Sequence, residues 1–329
     1  MPARSPHPTN TPATTHAVVV GGGTMGADVA VVLARGGARV TVVEPHPDQA
    51  KRLMPRITAE LVASGFGGHE TAVTVADGLG AVEWSEVALV IECITEQLEP
   101  KQALFAELVR LAPASAVLTS NSSGFPISAI AADLPTATRM LGLHFFMPAH
   151  LVPLVEVVLG SQSDAALGTW LCQFMRQCGS VPVLVRKDKP GFLANRMQHA
   201  LSREAFALID EGVASPEDVD AAVRFGFGFR FLAAGPVLQR DHAGIEVHTA
   251  AAATMYPTLS NTDVPATALR DKVARGELGM KTGKGFFDWP EDRKQAERAR
   301  YDHLLRQGLA LLAPELPAVA RPAAPAVSK

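Results

Sequence analysis

Along the chain, short β-branched runs alternate with longer stretches in which apolar residues return about once per helical turn. His16-Ala17-Val18-Val19-Val20 is the first such run, and glycines 21 to 23 follow it at once. A helical pattern through Val29, Leu33 and Ala34 comes next and is stopped by Gly36-Gly37. Arg39 to Val43 reads as a second buried strand ending at Glu44. An amphipathic stretch from Pro47 to about Ser64 and a polar linker lead to a third strand, Ala88 to Glu92. Further apolar runs lie at Ala116 to Thr119, Met140 to Phe145, Leu154 to Val158 and Val181 to Val185. Runs this continuous are buried on both faces, and their alternation with helices predicts a mostly parallel sheet over residues 16–186.

Beyond Arg186-Lys187-Asp188-Lys189-Pro190 the β-branched runs give way to helical spacing, with Leu193, Met197, Leu201, Ala205 and Leu208 on one face. Gly212 is placed to close that helix, and Ser215-Pro216-Glu217-Asp218 opens the next with a capping hydroxyl, a first-turn proline and two acids. Residues 187–315 are therefore expected to form an all-helical second domain. Segments 1–15 and 316–329 are expected to be disordered tails, both low in complexity. The opening MPARSPHPTNTPATT lacks the apolar centre of a secretory signal, and a weak transit peptide is the alternative to a simple tail.

A length of 329 residues fits about two domains, and 47% hydrophobic with 19% charged residues fits a packed core. The 30 basic and 33 acidic side chains leave a net charge of -3, so neither nucleic acid nor a membrane is expected as partner. A small molecule is. No apolar run reaches the ~20 residues of a membrane-spanning helix. Cys93, Cys172 and Cys178 form neither a CxxC pair nor a disulfide framework, so no metal site is expected and a reducing, cytoplasmic setting is.

Gly21, Gly23 and Gly26 spell GxGxxG between a strand and a helix. The first glycine allows a tight turn, the second lets backbone approach a pyrophosphate, and the third permits close helix packing. The helix N-terminus adds free N–H groups and about half a positive charge. Glu44 ends the next strand 18 residues after Gly26, where a carboxylate binds ribose hydroxyls and repels a 2′-phosphate, which selects NAD over NADP. A structural turn, or FAD, is the competing reading. With NAD, the first domain is a Rossmann-type, doubly wound α/β domain.

If Met140 to Phe145 and Leu154 to Val158 pair as antiparallel neighbours centred on His150, positions 144 and 156 face each other with Cβ atoms about 5 Å apart. Glu156 would then hold the His144 ring in one tautomer and favour its protonated form, as a base accepting an alcohol proton requires. The competing reading is a capped core histidine and a solvated strand glutamate. Asn121-Ser122-Ser123 follows a buried strand, the edge at which doubly wound sheets bind ligands, though a helix cap would look the same. Asn195 falls in the first turns of the linker helix.

Taken together, GGGTMG, Glu44, IECITEQLEPK (91–101), NSSGFPIS (121–128), GLHFFMP (142–148), LVEVV (154–158), DKPGFLANR (188–196), EGVASPEDVD (211–220) and KTGKGFFDW (281–289) resemble the 3-hydroxyacyl-CoA dehydrogenase family, in order from about His16 to Trp289. The resemblance implies an NAD-binding domain, a helical domain that forms a homodimer, and oxidation of a secondary 3-hydroxyl to a ketone. By position, His144 is the general base and Glu156 its partner, while Ser123 and Asn195 hydrogen-bond the reacting oxygen or its neighbours. Gly21, Gly23, Thr24, Met25, Gly26, Glu44, Glu96, Lys101, Asn121 and Lys281 would line the cofactor site.

The match departs from the acyl-CoA enzymes at several points. Met147 replaces the asparagine usual after His-Phe-Phe. The stretch from Glu44 to Glu92 is short for the lysine-rich helical hairpin that grips CoA and holds only Lys51, Arg52 and Arg56 as cations. Pro153 stands where lysine is common, and GFGFRFLAAGP (226–236) adds Arg230. These features are more similar to the branch that oxidises free hydroxy acids, the carnitine, gulonate and pyridine-carboxylate dehydrogenases. Arg230 is the expected anchor for a carboxylate and His150 a second expected substrate contact, with a surface arginine and a satisfied loop histidine as the competing readings. A short-chain 3-hydroxyacyl-CoA dehydrogenase is the alternative function. A catalytically silent relative of the crystallin kind is the alternative of another class.

Overall fold

The β-branched runs form strands β1 (His16–Val20), β2 (Arg39–Val43), β3 (Val73–Ala76), β4 (Val87–Glu92), β5 (Val117–Ser120), β6 (Met140–Phe145), β7 (Leu154–Leu159) and β8 (Val181–Val185) in the computed structural model, which describes residues 10–319. They make one sheet in the order β3-β2-β1-β4-β5-β6-β7-β8. All neighbouring pairs are parallel except β6 with β7. The order reverses between β1 and β4, the switch point beyond whose carboxyl ends doubly wound sheets take their ligands.

Helices cover both faces: α1 (Thr24–Arg35), α2 (Pro47–Ala63), α3 (Leu98–Leu111), the single turn α4 (Ile127–Ile130) and α5 (Ala165–Gln177). Alternate β1 residues feed two cores, because side chains point to opposite faces of a strand. Ala17 and Val19 pack with Val29, Leu33, Ile57 and Phe174, and Val18 and Val20 with Phe105, Leu108, Ile127 and Ile130.

β3 falls in what the sequence presents as a polar linker. At four residues it is too short for a clear alternation, and it adds to the free edge of β2, where half its side chains meet solvent. The amino-terminal tail also ends earlier than expected. Pro12–Thr14 is a 3-10 turn, Pro12 and Thr15 are buried, and Trp170 Nε1–H donates to Asn10 O at 3.1 Å. At the other end Val319 lies against Gly179. The remainder of both expected tails, 1–9 and 320–329, lies outside the described residues.

The chain divides into two compact units. The described residues 10–195 with 314–319 form the first, and 196–313 form the second. The helix α6 (Ala194–Asp210) closes at Gly212, φ +69°, and α7 (Pro216–Ala222) starts with the Ser215 hydroxyl accepting from Asp218 N–H. Longer helices follow at Ile245–Met255 and Glu291–Leu312. Ala234 is the only buried side chain of residues 196–313.

Candidate active site

The glycine turn meets each demand of a dinucleotide site. Gly21 has φ +102°, and a Cβ there would stand 2.7 Å from Cys93 O, so only glycine makes this turn. A Cβ on Gly26 would stand 1.8 Å from Gly21 O, which fixes α1 tightly under the loop. Around Gly23 nothing lies within 4 Å, so its backbone is open to a ligand. Gly23 is also the N-cap of α1 and has no side chain to cap it, which leaves first-turn N–H groups for a phosphate. Thr24 and Met25 form that first turn. Glu44 directly follows β2 and is buried, with Gly22 N–H donating to Oε2 (3.0 Å) and His46 N–H to Oε1 (2.8 Å). These residues fit NAD.

Positions 144 and 156 pair in the expected register, within an antiparallel ladder from Leu141–Leu159 to Phe145–Val155. His144 Nδ1 lies 2.8 Å from Glu156 Oε2, and both residues are buried. Leu193 N–H (3.0 Å) and Ala194 N–H (2.8 Å) donate to Glu156 Oε1. Burial pushes the Glu156 carboxyl up, but the hydrogen bonds from His144, Ala194 and Leu193 prevail and hold it below the ordinary carboxylate value. An ionised carboxylate only accepts, so the proton sits on Nδ1 and Nε2 is left as the accepting nitrogen. The Phe146 and Phe192 rings flank the imidazole at 4.6 and 5.6 Å between centroids.

Asn121 to Gly124 form a turn at the end of β5. Glu96 Oε1 accepts from Ser122 Oγ (2.7 Å), Ser123 N–H (2.9 Å) and Gly124 N–H (3.0 Å). Burial raises the Glu96 carboxyl, but those bonds and the Lys101 charge hold it lower than usual. Asn121 Oδ1 accepts from Phe145 N–H (2.8 Å), which ties the ends of β5 and β6. Asn195 Nδ2 donates to Ser123 O at 3.4 Å.

Of the expected site residues, Ser123, His144, Glu156, Asn195, Glu96, Lys101 and Asn121 stand in the first unit with the glycine turn, whereas Arg230 and Lys281 belong to the second, where both are exposed. Two side chains are turned to other work. Lys101 is 1% exposed and pairs with Glu92 (2.6 Å) and Glu96 (3.3 Å), so nothing in this geometry supports the cofactor contact expected of it. His150 is buried with Nδ1 3.3 Å from Asp28 Oδ1 and Nε2 3.1 Å from Glu60 Oε2. Its ring thus lies between two carboxylates of its own fold, although Nδ1 makes no hydrogen bond.

Three residues escaped the sequence reading. Asp28, fully buried in α1, pairs with Arg56 and accepts from Ala149 N–H (3.1 Å), fastening the loop after His144. Its signal was a charge on an otherwise apolar helix. Glu92, fully buried, ends the run of β4 and counters Lys101. Phe192 has φ +51° directly after Gly191 at +75°, which turns the next two N–H groups onto Glu156. No local pattern signals a left-handed phenylalanine.

Residues 16–189 match the description "3-hydroxyacyl-CoA dehydrogenase, NAD binding domain", and 191–289 match the C-terminal domain of the same family. The 5-formyl-3-hydroxy-2-methylpyridine 4-carboxylate 5-dehydrogenase of Mesorhizobium japonicum is 33% identical over 294 residues, covering 86% of this chain and 94% of that protein. A crystal structure of such a dehydrogenase, described as an NAD+ dependent dismutase, superposes with a TM-score of 0.84 at 31% identity, over 90% and 98% of the two chains. The 3-hydroxybutyryl-CoA dehydrogenase structure from Escherichia coli K12 gives 0.69 at 33% identity, over 84% of this chain and 60% of that one. The chain belongs to the 3-hydroxyacyl-CoA dehydrogenase family and is an NAD-dependent oxidoreductase acting on a CH–OH group.

Proposed function

We propose that the chain oxidises the hydroxyl of a small free hydroxy acid to a ketone, with His144 as general base and Glu156 as the group that fixes its tautomer. The 2.8 Å contact between them, at the pairing position where the strands bring them together, carries this reading. His144 Nε2 takes the hydroxyl proton, and the carboxylate of Glu156 stabilises the imidazolium that results. Ser123 and Asn195 hydrogen-bond the oxygen on which charge develops. NAD, held at Gly21 to Gly26, Glu44 and Asn121, supplies the hydride acceptor.

Several features favour a free acid over a CoA ester. Between the end of α2 and β3 there is only a 3-10 turn, His69–Ala72, and no second long helix. Of the three cations on α2, Arg56 is spent on Asp28. Arg230 presents an exposed fork that suits a carboxylate. The 0.84 against 0.69 in TM-score points the same way.

The working form is a cytoplasmic homodimer. Three free cysteines suit a reducing compartment. A second copy would bury the exposed Met197, Leu201, Phe225 and Phe229 of the helical unit.

An absorbance assay of NADH formation tests the substrate class, run with NAD and with NADP over L-carnitine, L-gulonate, 3-hydroxybutyrate, pyridine hydroxymethyl-carboxylates and 3-hydroxybutyryl-CoA. A free acid is expected to be oxidised fastest, with NAD strongly preferred. Arg230→Ala should raise its KM about 10–100-fold, the loss of a charged hydrogen-bonded pair. Much faster turnover of 3-hydroxybutyryl-CoA together with an unchanged KM in the variant would overturn the free-acid reading. Equal use of NADP would remove the role of Glu44.

A further inference from the structure

The loop that leaves β6 after His144 is thinly packed where it meets the imidazole. Phe146, half-buried, sets its ring 4.6 Å from that of His144, and Met147 beside it is 65% exposed. A stretch with so little packing takes its path from the hydrogen bonds at its two ends. At one end Asn121 Oδ1 accepts from Phe145 N–H (2.8 Å), and at the other Asp28 Oδ2 accepts from Ala149 N–H (3.1 Å). Asp28 is fully buried on α1, and two further segments stand at its carboxylate. Arg56 of α2 pairs with Oδ1, and His150 Nδ1 lies 3.3 Å from that same oxygen, with Glu60 Oε2 3.1 Å from its Nε2. Burying a carboxylate is costly unless it is compensated, and an otherwise apolar helix face bears that cost at the one residue that reaches the loop.

We infer that Asp28 is a positioning residue for His144, an inference that rests on the role of base given to His144 above. By holding Ala149 N–H, a charged acceptor and so a strong one, Asp28 fixes the Phe146 ring against the imidazole and keeps Nε2 aimed for proton abstraction. Ala149 is 2% exposed, so without this acceptor its N–H would be buried and unpaired. The loop would then shift until that N–H met water, and Phe146 would move with it. His144 Nδ1 would stay on Glu156, but the ring would turn about that contact with one of its two aromatic walls gone.

The test uses the full chain. Asp28→Ala removes the acceptor, and Arg56, whose side chain is 37% exposed, turns to water, so no charge is stranded. Asp28→Val fills the same space without an acceptor and serves if Asp28→Ala does not fold. Asp28→Asn has the shape of the native side chain and keeps an oxygen for Ala149 N–H. Phe146→Leu is made alone and together with Asp28→Ala. Backbone hydrogen exchange is followed in peptides covering 145–152 and 20–27, NADH is titrated by fluorescence, and the fastest acid of the panel reports kcat.

In Asp28→Ala, exchange across 145–152 is expected to rise about tenfold or more with 20–27 unchanged, and kcat to fall about tenfold or more with NADH affinity within about threefold. Asp28→Asn should restore exchange and kcat to within about threefold of native. The double variant should be no more than about threefold slower than Phe146→Leu, because both changes act at one contact. Unaltered exchange across 145–152 in Asp28→Ala overturns the inference. So does an Asp28→Asn as slow as Asp28→Ala, a double variant whose loss is the product of the two single losses, or an approximately tenfold loss of NADH affinity with kcat intact, which would make Asp28 a support of the cofactor turn instead. If the native protein oxidises no member of the panel, the substrate reading fails by itself, and exchange in the alanine and asparagine variants still decides whether Asp28 holds the loop.

Discussion

Glu156 accepts three hydrogen bonds on two oxygens while fully buried, and this saturation makes His144 usable as a base. A carboxylate with fewer donors would take a proton on burial and cease to orient the ring. Since its folded pKa is depressed, its contribution to stability is present above the ordinary carboxylate pKa and is lost as pH falls through the depressed value. His144→Ala is expected to lower kcat by about 10²–10⁴ with the fold intact. Steady-state kinetics with a circular dichroism spectrum and an NADH titration check this, and a variant of native speed would remove the imidazole from the chemistry. At this scale the facing of 144 and 156 was legible, because two apolar runs and the residues between them fix a register. The fates of His150 and Lys101 were not. A polar side chain in a loop or helix does not announce which carboxylate it will meet: Asp28 and Glu60 come to His150 from distant segments, and Glu92 meets Lys101 only because β4 turns back into α3.

Among the elements, the glycine turn and α1 carry the sharpest contrast. Gly23→Ala would meet no atom within 4 Å and should leave the melting temperature nearly unchanged, while its methyl takes the space a pyrophosphate needs. Gly26→Ala would drive its Cβ into Gly21 O and should cost about 1–3 kcal/mol or more by overpacking. Thermal melts paired with NADH titrations separate the two. Binding lost with stability kept is expected for Gly23→Ala, and retained affinity there would contradict the cofactor turn. α1 has a second task, because Asp28 holds Ala149 N–H and Arg35 donates to His150 O (3.3 Å) and Cys178 O (2.7 Å). The helix that opens on the cofactor turn thereby also fixes the loop that follows His144.

For the whole molecule, residues 196–313 pose the question of what covers them. Apolar side chains recur at helical spacing on α6, yet Met197 is 52% and Leu201 40% exposed. A domain of this size normally buries well over half its surface, and one buried alanine is no core. Light scattering after size exclusion should therefore give twice the chain mass, and the melting temperature should rise with protein concentration. A monomer with one cooperative, concentration-independent melt would contradict the dimer.

Local order was decided by the sequence itself. β-branched runs, glycine stops, the capping serine and the GxGxxG spacing act over a few residues, where steric and hydrogen-bonding preferences need no distant partner. The parallel sheet, its one antiparallel pair and the facing of His144 and Glu156 follow from those preferences and from the burial pattern. Tertiary structure alone decided the sharing of the buried charges. Lys101 went to Glu92 and Glu96, and Arg56 to Asp28, because a charge removed from water must take whichever opposite charge the fold brings within reach.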